Sequence, residues 1–105
     1  MRPEVQAFVA EGALPDWDGD EAEIDRRAAQ LEAITAPVTA EEAAALAACF
    51  GPDDYYGMAW SLLHLIETGP GSVFTTRPCL GANEWHHRLW ARAVNGGLVP
   101  DEPTV

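Results

Sequence analysis

The feature that most constrains this chain is one largely apolar stretch, residues 53–68, with the sequence DDYYGMAWSLLHLIET. Its apolar side chains recur at helical spacing and cover most of the circumference of a helix. These side chains are Tyr55, Met58, Ala59, Leu62, Leu63, Leu65 and Ile66. Such a helix is normally surrounded by other elements, and the run is too short and too polar to span a bilayer. We therefore predict that it forms the central helix of a small helical domain.

The whole chain reads as one all-α domain. Its 105 residues are the length of a single domain, and a hydrophobic content of 48% is sufficient for a core. Short connectors rich in Pro and Gly separate about five helical segments, which predicts a compact bundle of about five helices. Antiparallel packing of successive helices would make helices two and three, then four and five, two stacked hairpins. We assign residues 1–99 to this domain and 100–105 to a flexible acidic C-terminal tail.

Three helices are predicted before the central one. Residues 3–11 begin with a proline, which suits the first position of a helix. Residues 20–34 follow, and Asp20 is one of two aspartates placed to cap them. The third helix has the clearest start, because Thr39 and Glu42 have the spacing of a capping box.

The second half contains a less certain loop and one more helix. We place Gly57 inside the central helix, where glycine costs about 1 kcal/mol relative to alanine. Its role there would be to admit a neighbouring backbone or tryptophan. Residues 72–82 are predicted to be a packed loop, because one short strand would have no partner. Asn83 caps a last helix over residues 83–94.

Charge is distributed unevenly along the chain. Asp and Glu number 17 against 6 Lys plus Arg, which gives a formal net charge of −11. Residues 1–54 hold 13 of the acids but only three arginines, a net charge of −10. Such a field repels phosphate, so we expect no nucleic-acid ligand, and it attracts basic proteins. A surface that serves solubility alone is the other interpretation.

The acidic stretch around Trp17 is the candidate partner-binding surface. An aromatic side chain among acids suits the capture of a basic protein surface. A solvated helix start would explain the same residues. The candidate partner-binding residues are Asp16, Trp17, Asp18, Asp20, Glu21, Glu23 and Asp25.

Two helical motifs suggest metal chemistry as an alternative. His64 and Glu67 are three residues apart on the central helix, and Glu84 and His87 are three apart on the last one. Di-iron carboxylate bundles use Glu-x-x-His on two helices, although the first motif here has the reverse order. A helical metal-dependent enzyme would use these four residues. In the structural alternative, His64 lies in the core and bonds a backbone carbonyl. We predict no metal, no cofactor and no enzymatic activity.

The two cysteines allow one disulfide but not a disulfide framework. Cys79 precedes His86 and His87 by a few residues, so a cysteine nucleophile is a further alternative. Cys49 lies near the end of the third helix, where the helix dipole opposes a thiolate. No signal peptide is visible, so we predict a cytoplasmic protein with reduced thiols and no membrane association.

The segment 50–71, FGPDDYYGMAWSLLHLIETGPG, resembles a segment in small bacterial proteins of the polymorphic-toxin immunity type. The resemblance covers 22 of the 105 residues. It implies a small, acidic, non-enzymatic protein that binds and blocks a cognate toxin. The toxin-contacting residues vary in that family, so the resemblance assigns none here. We expect neutralisation of a basic toxin domain, such as a nuclease; the alternative is an acidic inhibitor that mimics nucleic-acid charge.

Overall fold

The computed structural model describes residues 1–14, 20–51, 57–74, 78–79 and 81–98. These residues form five helices and contain no strand, so the predicted all-α bundle is confirmed. The helices are α1 (Pro3–Ala10), α2 (Glu21–Glu32), α3 (Ala40–Ala47), α4 (Met58–Glu67) and α5 (Glu84–Asn95). The predicted tail, residues 100–105, lies outside the described residues.

α4 is the central helix, as its apolar pattern predicts. Its buried side chains are Met58, Ala59, Leu62, Leu63 and Ile66. All five helices contribute side chains to the core or pack partly buried side chains against it. Val5 and Phe8 of α1 and Leu46 of α3 are fully enclosed beside it. Of the other two members of the predicted apolar face, Leu65 is partly buried and Tyr55 lies outside the described residues.

The start of α4 differs from the prediction. The helix begins at Met58, and Gly57 is its N-cap with φ of 83°. Glycine adopts this left-handed conformation without the steric penalty that other residues meet. Among the described residues, a Cβ placed at Gly57 would meet no atom within 4 Å. The prediction that Gly57 lies inside the helix to admit a neighbour was therefore wrong, because backbone conformation is what favours glycine. Residues 53–56, the start of the predicted central stretch, lie outside the described residues.

Three helix starts follow the capping signals of the sequence. Asp20 accepts a 2.8 Å hydrogen bond from the first turn of α2, and Asn83 accepts one of 2.7 Å from α5. At α3, the Glu42 amide donates to Thr39 Oγ1 at 3.1 Å and the Thr39 amide donates to Glu42 Oε1 at 2.9 Å. The predicted capping box is therefore confirmed.

Helix pairing is more varied than a set of hairpins. Among the described residues, the extensive contacts join α3 with α4, α1 with α2 and α3, and α4 with α5. α3 and α4 are antiparallel, because the Val38 amide before α3 donates to Thr68 Oγ1 after α4 at 3.1 Å. The predicted pairing of helices two and three is not one of these extensive contacts.

The start of α4 contacts the start of α5, and the end of α4 contacts the later part of α5. Trp60 near the start of α4 contacts Trp85 and Arg88, and Glu67 at its end contacts Arg92. The two helices therefore run in the same general direction, and the predicted hairpin of helices four and five is not formed. The end of α4 and the start of α5 therefore lie at opposite ends of this helix pair.

In the described part of the connection between α4 and α5, two side chains pack against the core. Val73 and Phe74 are partly buried and pack against it, as predicted for a loop through residues 72–82. Residues 75–77 and 80 of the predicted loop lie outside the described residues. Across the described part of the chain, every helix is too short or too polar to cross a bilayer.

Candidate protein-interaction surface

The structure describes four of the seven predicted partner-binding residues, and they lie at the start of α2. These four are Asp20, Glu21, Glu23 and Asp25, whereas Asp16, Trp17 and Asp18 lie outside the described residues. Asp20 already serves as the helix cap, so one of its oxygens is engaged. The other three do not form one patch, because α2 places them on two different sides.

One side of α2 is neutralised by contacts with α1. Arg26 donates to both carboxylate oxygens of Glu11, at 3.0 and 2.9 Å, and Gln30 adds a bond of 2.7 Å. Hydrogen bonds from Arg26 and then Gln30 hold the pKa of Glu11 below its usual value. Glu23 lies on this side, 3.7 Å from Arg26. Its charge is therefore partly balanced within the protein.

The other side of α2 carries exposed acids at helical spacing. Glu21, Asp25 and Glu32 follow positions i, i+4 and i+11, so they share a face with Ala28. We call these three acids the acidic stripe. Each is exposed, and no cation among the described residues pairs with them. Glu32 was not among the predicted site residues, although its spacing from Glu21 and Asp25 is visible in the sequence.

Glu32, at the end of the acidic stripe, lines a groove between α2 and α4. The α2–α4 groove has a volume of about 370 Å³ and is lined by Ala28, Leu31, Glu32, Gly57, Met58, Ser61 and Leu65. Leu31 and Met58 are buried at its base, whereas Ala28 and Leu65 are partly exposed. The groove therefore has an apolar base, and Glu32 places one acid of the stripe in its lining.

Every arginine that the structure describes is engaged inside the molecule. Four of them contact carboxylates: Arg2 with Glu42, Arg26 with Glu11, Arg88 with Glu84, and Arg92 with Glu67. The fifth, Arg27, is 2% exposed and lies in the core. The unbalanced charge on the described surface of α2 is therefore negative.

Arg27 ends α1 from within the core. Its Nη2 donates to the carbonyls of Phe8 and Gly12 at 3.3 and 3.0 Å, and its guanidinium lies 4.3 Å from the centre of the Phe8 ring. Carbonyls at the end of a helix lack intrahelical donors, and a cation there suits the helix dipole. The adjacent Arg26 is exposed, so residue type and position in the local sequence do not reveal that Arg27 is buried.

Glu42 is a second buried charge with a structural role. It is 1% exposed, and it accepts bonds of 3.0 to 3.1 Å from the backbone amide, Nε and Nη2 of Arg2. The hydrogen bond from the Arg2 side chain, with backbone bonds from Thr39 and Arg2, lowers the pKa of Glu42 to about 2. Glu42 therefore anchors the start of the chain to α3 and is not available to a partner.

The four residues of the metal hypothesis are not brought together as a metal site. Glu67 accepts two bonds from Arg92, at 2.6 and 2.9 Å, and Glu84 accepts one of 3.1 Å from Arg88. Across the described residues, which include all four, no group of three or more His, Cys, Asp or Glu is placed to hold a metal ion. Both glutamates are instead positioned by arginines of α5.

His64 is exposed on α4, so the prediction of a core histidine at this position was wrong. It lies on the opposite face from the buried Leu62, Leu63 and Ile66. The ring that bonds a backbone carbonyl is that of His86, whose Nε2 lies 2.7 Å from the carbonyl oxygen of Ala47.

Both cysteines are free. Cys49 is buried, with its Sγ 3.7 Å from the carbonyl of Ala45, and burial raises the pKa of its thiol. A raised pKa disfavours the thiolate that nucleophilic chemistry requires. Cys79 is exposed, and Nε2 of His86, one of the two candidate bases, is held by a backbone carbonyl.

Comparison of the chain with protein-family models, with curated proteins and with solved structures gives no match. The immunity-type resemblance therefore stays a prediction. The acidic stripe and the groove beside it are the features of the described surface that indicate a function.

Proposed function

We propose that the protein is a small acidic binding protein of the immunity type, which neutralises a basic partner such as a toxin domain. The observation that carries this proposal is the acidic stripe. Its three carboxylates are exposed and unpaired among the described residues, while the described arginines are engaged elsewhere.

Electrostatics supports a basic protein over other partners. A net charge of −11 repels nucleic acid and accelerates encounter with a positively charged surface. Charge alone gives rate and orientation, and stable binding also needs desolvated apolar contact. The α2–α4 groove offers that contact beside the stripe. Free cysteines accord with the cytoplasmic location that we include in the proposal.

The proposal is tested by recovery of the partner and by a growth assay. The tagged protein is used to capture proteins from its host's lysate at low and at high salt, and the bound proteins are identified by mass spectrometry. We expect one basic protein that is retained at low salt and weakened at high salt. When the captured protein is expressed alone in a second bacterium, it should arrest growth. Coexpression of this chain should restore growth.

A charge variant supplies the matched control. Asp25→Asn/Glu32→Gln removes two charges from the acidic stripe, and Glu4→Gln/Glu41→Gln removes two exposed charges elsewhere. The first pair should weaken rescue more than the second. A captured protein that is acidic, or one that leaves growth unaffected, would count against neutralisation of a basic toxin.

A further inference from the structure

We propose that the α2–α4 groove docks one amphipathic basic helix of the partner. The apolar face of that helix would enter the groove, and its Lys and Arg side chains would meet the acidic stripe. This inference rests on the proposed function and adds to it the chemistry of the partner segment and the face that receives it.

The dimensions of the groove suit a helix. Its α4 wall extends from Gly57 to Leu65, a rise of roughly 12 Å or about two helical turns. The two helix walls, α2 and α4, leave a channel of about 370 Å³ with apolar side chains at its base. Helices recognise such grooves through apolar residues at i, i+3, i+4 and i+7 spacing.

Charge selects a basic segment over a second copy of this chain. A symmetric contact between two α2 faces would place the acidic stripe of one copy beside that of the other, and like charges repel. The described arginines could not compensate, because each one is engaged within its own molecule. A partner helix with cations beside its apolar face satisfies both features of the groove.

The binding test uses a fluorescent three-turn peptide of Leu and Lys, with Leu at i, i+3, i+4 and i+7. Its scrambled sequence and a Leu–Glu analogue are the controls. We expect the helical Leu–Lys peptide to bind more tightly than either control. Asp25→Asn/Glu32→Gln should weaken its binding by about tenfold at low salt, and Glu4→Gln/Glu41→Gln by less than about twofold.

A second pair of variants tests the groove itself. Ser61 is exposed at its edge, so Ser61→Trp should fill the channel, whereas Ala91→Trp adds the same side chain on the exposed face of α5. We expect about a tenfold loss of peptide affinity for Ser61→Trp alone, since the apolar contact would be blocked. Circular dichroism of both variants checks that each remains helical.

Each outcome separates the inference from the proposed function. If the two charge variants lost equal peptide affinity, docking in the groove would be refuted, whereas general attraction to a basic partner would still stand. Unchanged affinity of Ser61→Trp for the captured partner would overturn it as well. A dimer of the free chain that Ser61→Trp dissociates would show that a second copy occupies the groove. The proposed function fails separately if the captured protein is not inhibitory.

Discussion

At the scale of single residues, Arg27 shows how far burial departs from residue type. Arginine is rarely buried without a carboxylate, and here its partners among the described residues are two carbonyls and the Phe8 ring. We expect Arg27→Ala to lower the free energy of unfolding by about 2–4 kcal/mol, because the carbonyls of Phe8 and Gly12 each lose a hydrogen bond and a void opens. Chemical denaturation provides the measurement.

The matched control for Arg27 is its neighbour. Arg26 is exposed, so Arg26→Ala should destabilise the protein less. Arg27→Met keeps most of the volume and should fall between Arg27→Ala and the wild type. Equal stability of the Arg27→Ala and Arg26→Ala variants would contradict a structural role for the buried guanidinium.

Glu42 gives a prediction for the pH dependence of stability. Its folded-state pKa of about 2 lies below the usual value of 4.5. The contribution of the ionised carboxylate is therefore complete above pH 4.5 and is lost as the pH falls towards 2. We expect Glu42→Gln to lower the Tm at neutral pH, with the difference from wild type shrinking as the pH falls through that window.

The control for Glu42 is Glu41→Gln, which changes an exposed acid at the neighbouring position. Its Tm should follow that of the wild type across the same pH range. A Glu42→Gln difference that is constant from neutral pH to pH 2 would contradict the role of ionisation.

Glu42 also shows what the sequence can predict about a residue. The Thr39–Glu42 spacing predicts the capping box, because the interaction is local. The contact with Arg2 joins positions 40 residues apart, so no local pattern reports it. The same reason hides the burial of Arg27 and the engagement of Glu67 by Arg92.

At the scale of elements, Gly57 sets the point where α4 begins. An alanine at φ of 83° carries steric strain, so Gly57→Ala should destabilise the protein by about 1 kcal/mol. Gly81 is the control, because its φ lies outside the left-handed region and an added Cβ would meet no atom of the described residues within 4 Å. We expect Gly81→Ala to be neutral or to stabilise the protein by up to about 1 kcal/mol. Thermal denaturation of both variants decides between strain at Gly57 and a general effect of glycine.

The helices themselves are well predicted, and their pairing is not. Periodicity and caps report which face of a helix is apolar, since both are properties of neighbouring residues. The direction of α5 relative to α4 depends on contacts such as Trp60 with Trp85, which no local pattern specifies. The α2–α4 groove was missed for the same reason, because its two walls are separated along the chain by α3.

At the scale of the whole molecule, the net charge predicts two salt effects of opposite sign. Repulsion among the acids opposes the compact state, so added NaCl should raise the Tm of the free protein. The same salt should slow association with a basic partner. Calorimetry and stopped-flow binding over one series of salt concentrations measure the two effects.

The variant Asp25→Asn/Glu32→Gln is informative for both salt effects. It should reduce the salt dependence of Tm and of the association rate together, because it removes two of the charges responsible. A Tm that falls with added salt would show that attractive ion pairs outweigh the repulsion, contrary to our expectation.

The shared direction of α4 and α5 has a consequence for the order of folding. α3 and α4 can pair through a short connection, whereas α5 must wait for residues 68–83 to close a longer path. We therefore expect α5 to dock late. Its arrival places Trp85 edge-on to Trp60, with ring centres 5.0 Å apart, so tryptophan fluorescence in a refolding experiment should report that last step and Trp60→Phe should alter the signal. The aromatic contact between these two helices is thus an intrinsic fluorescence probe for completion of the bundle.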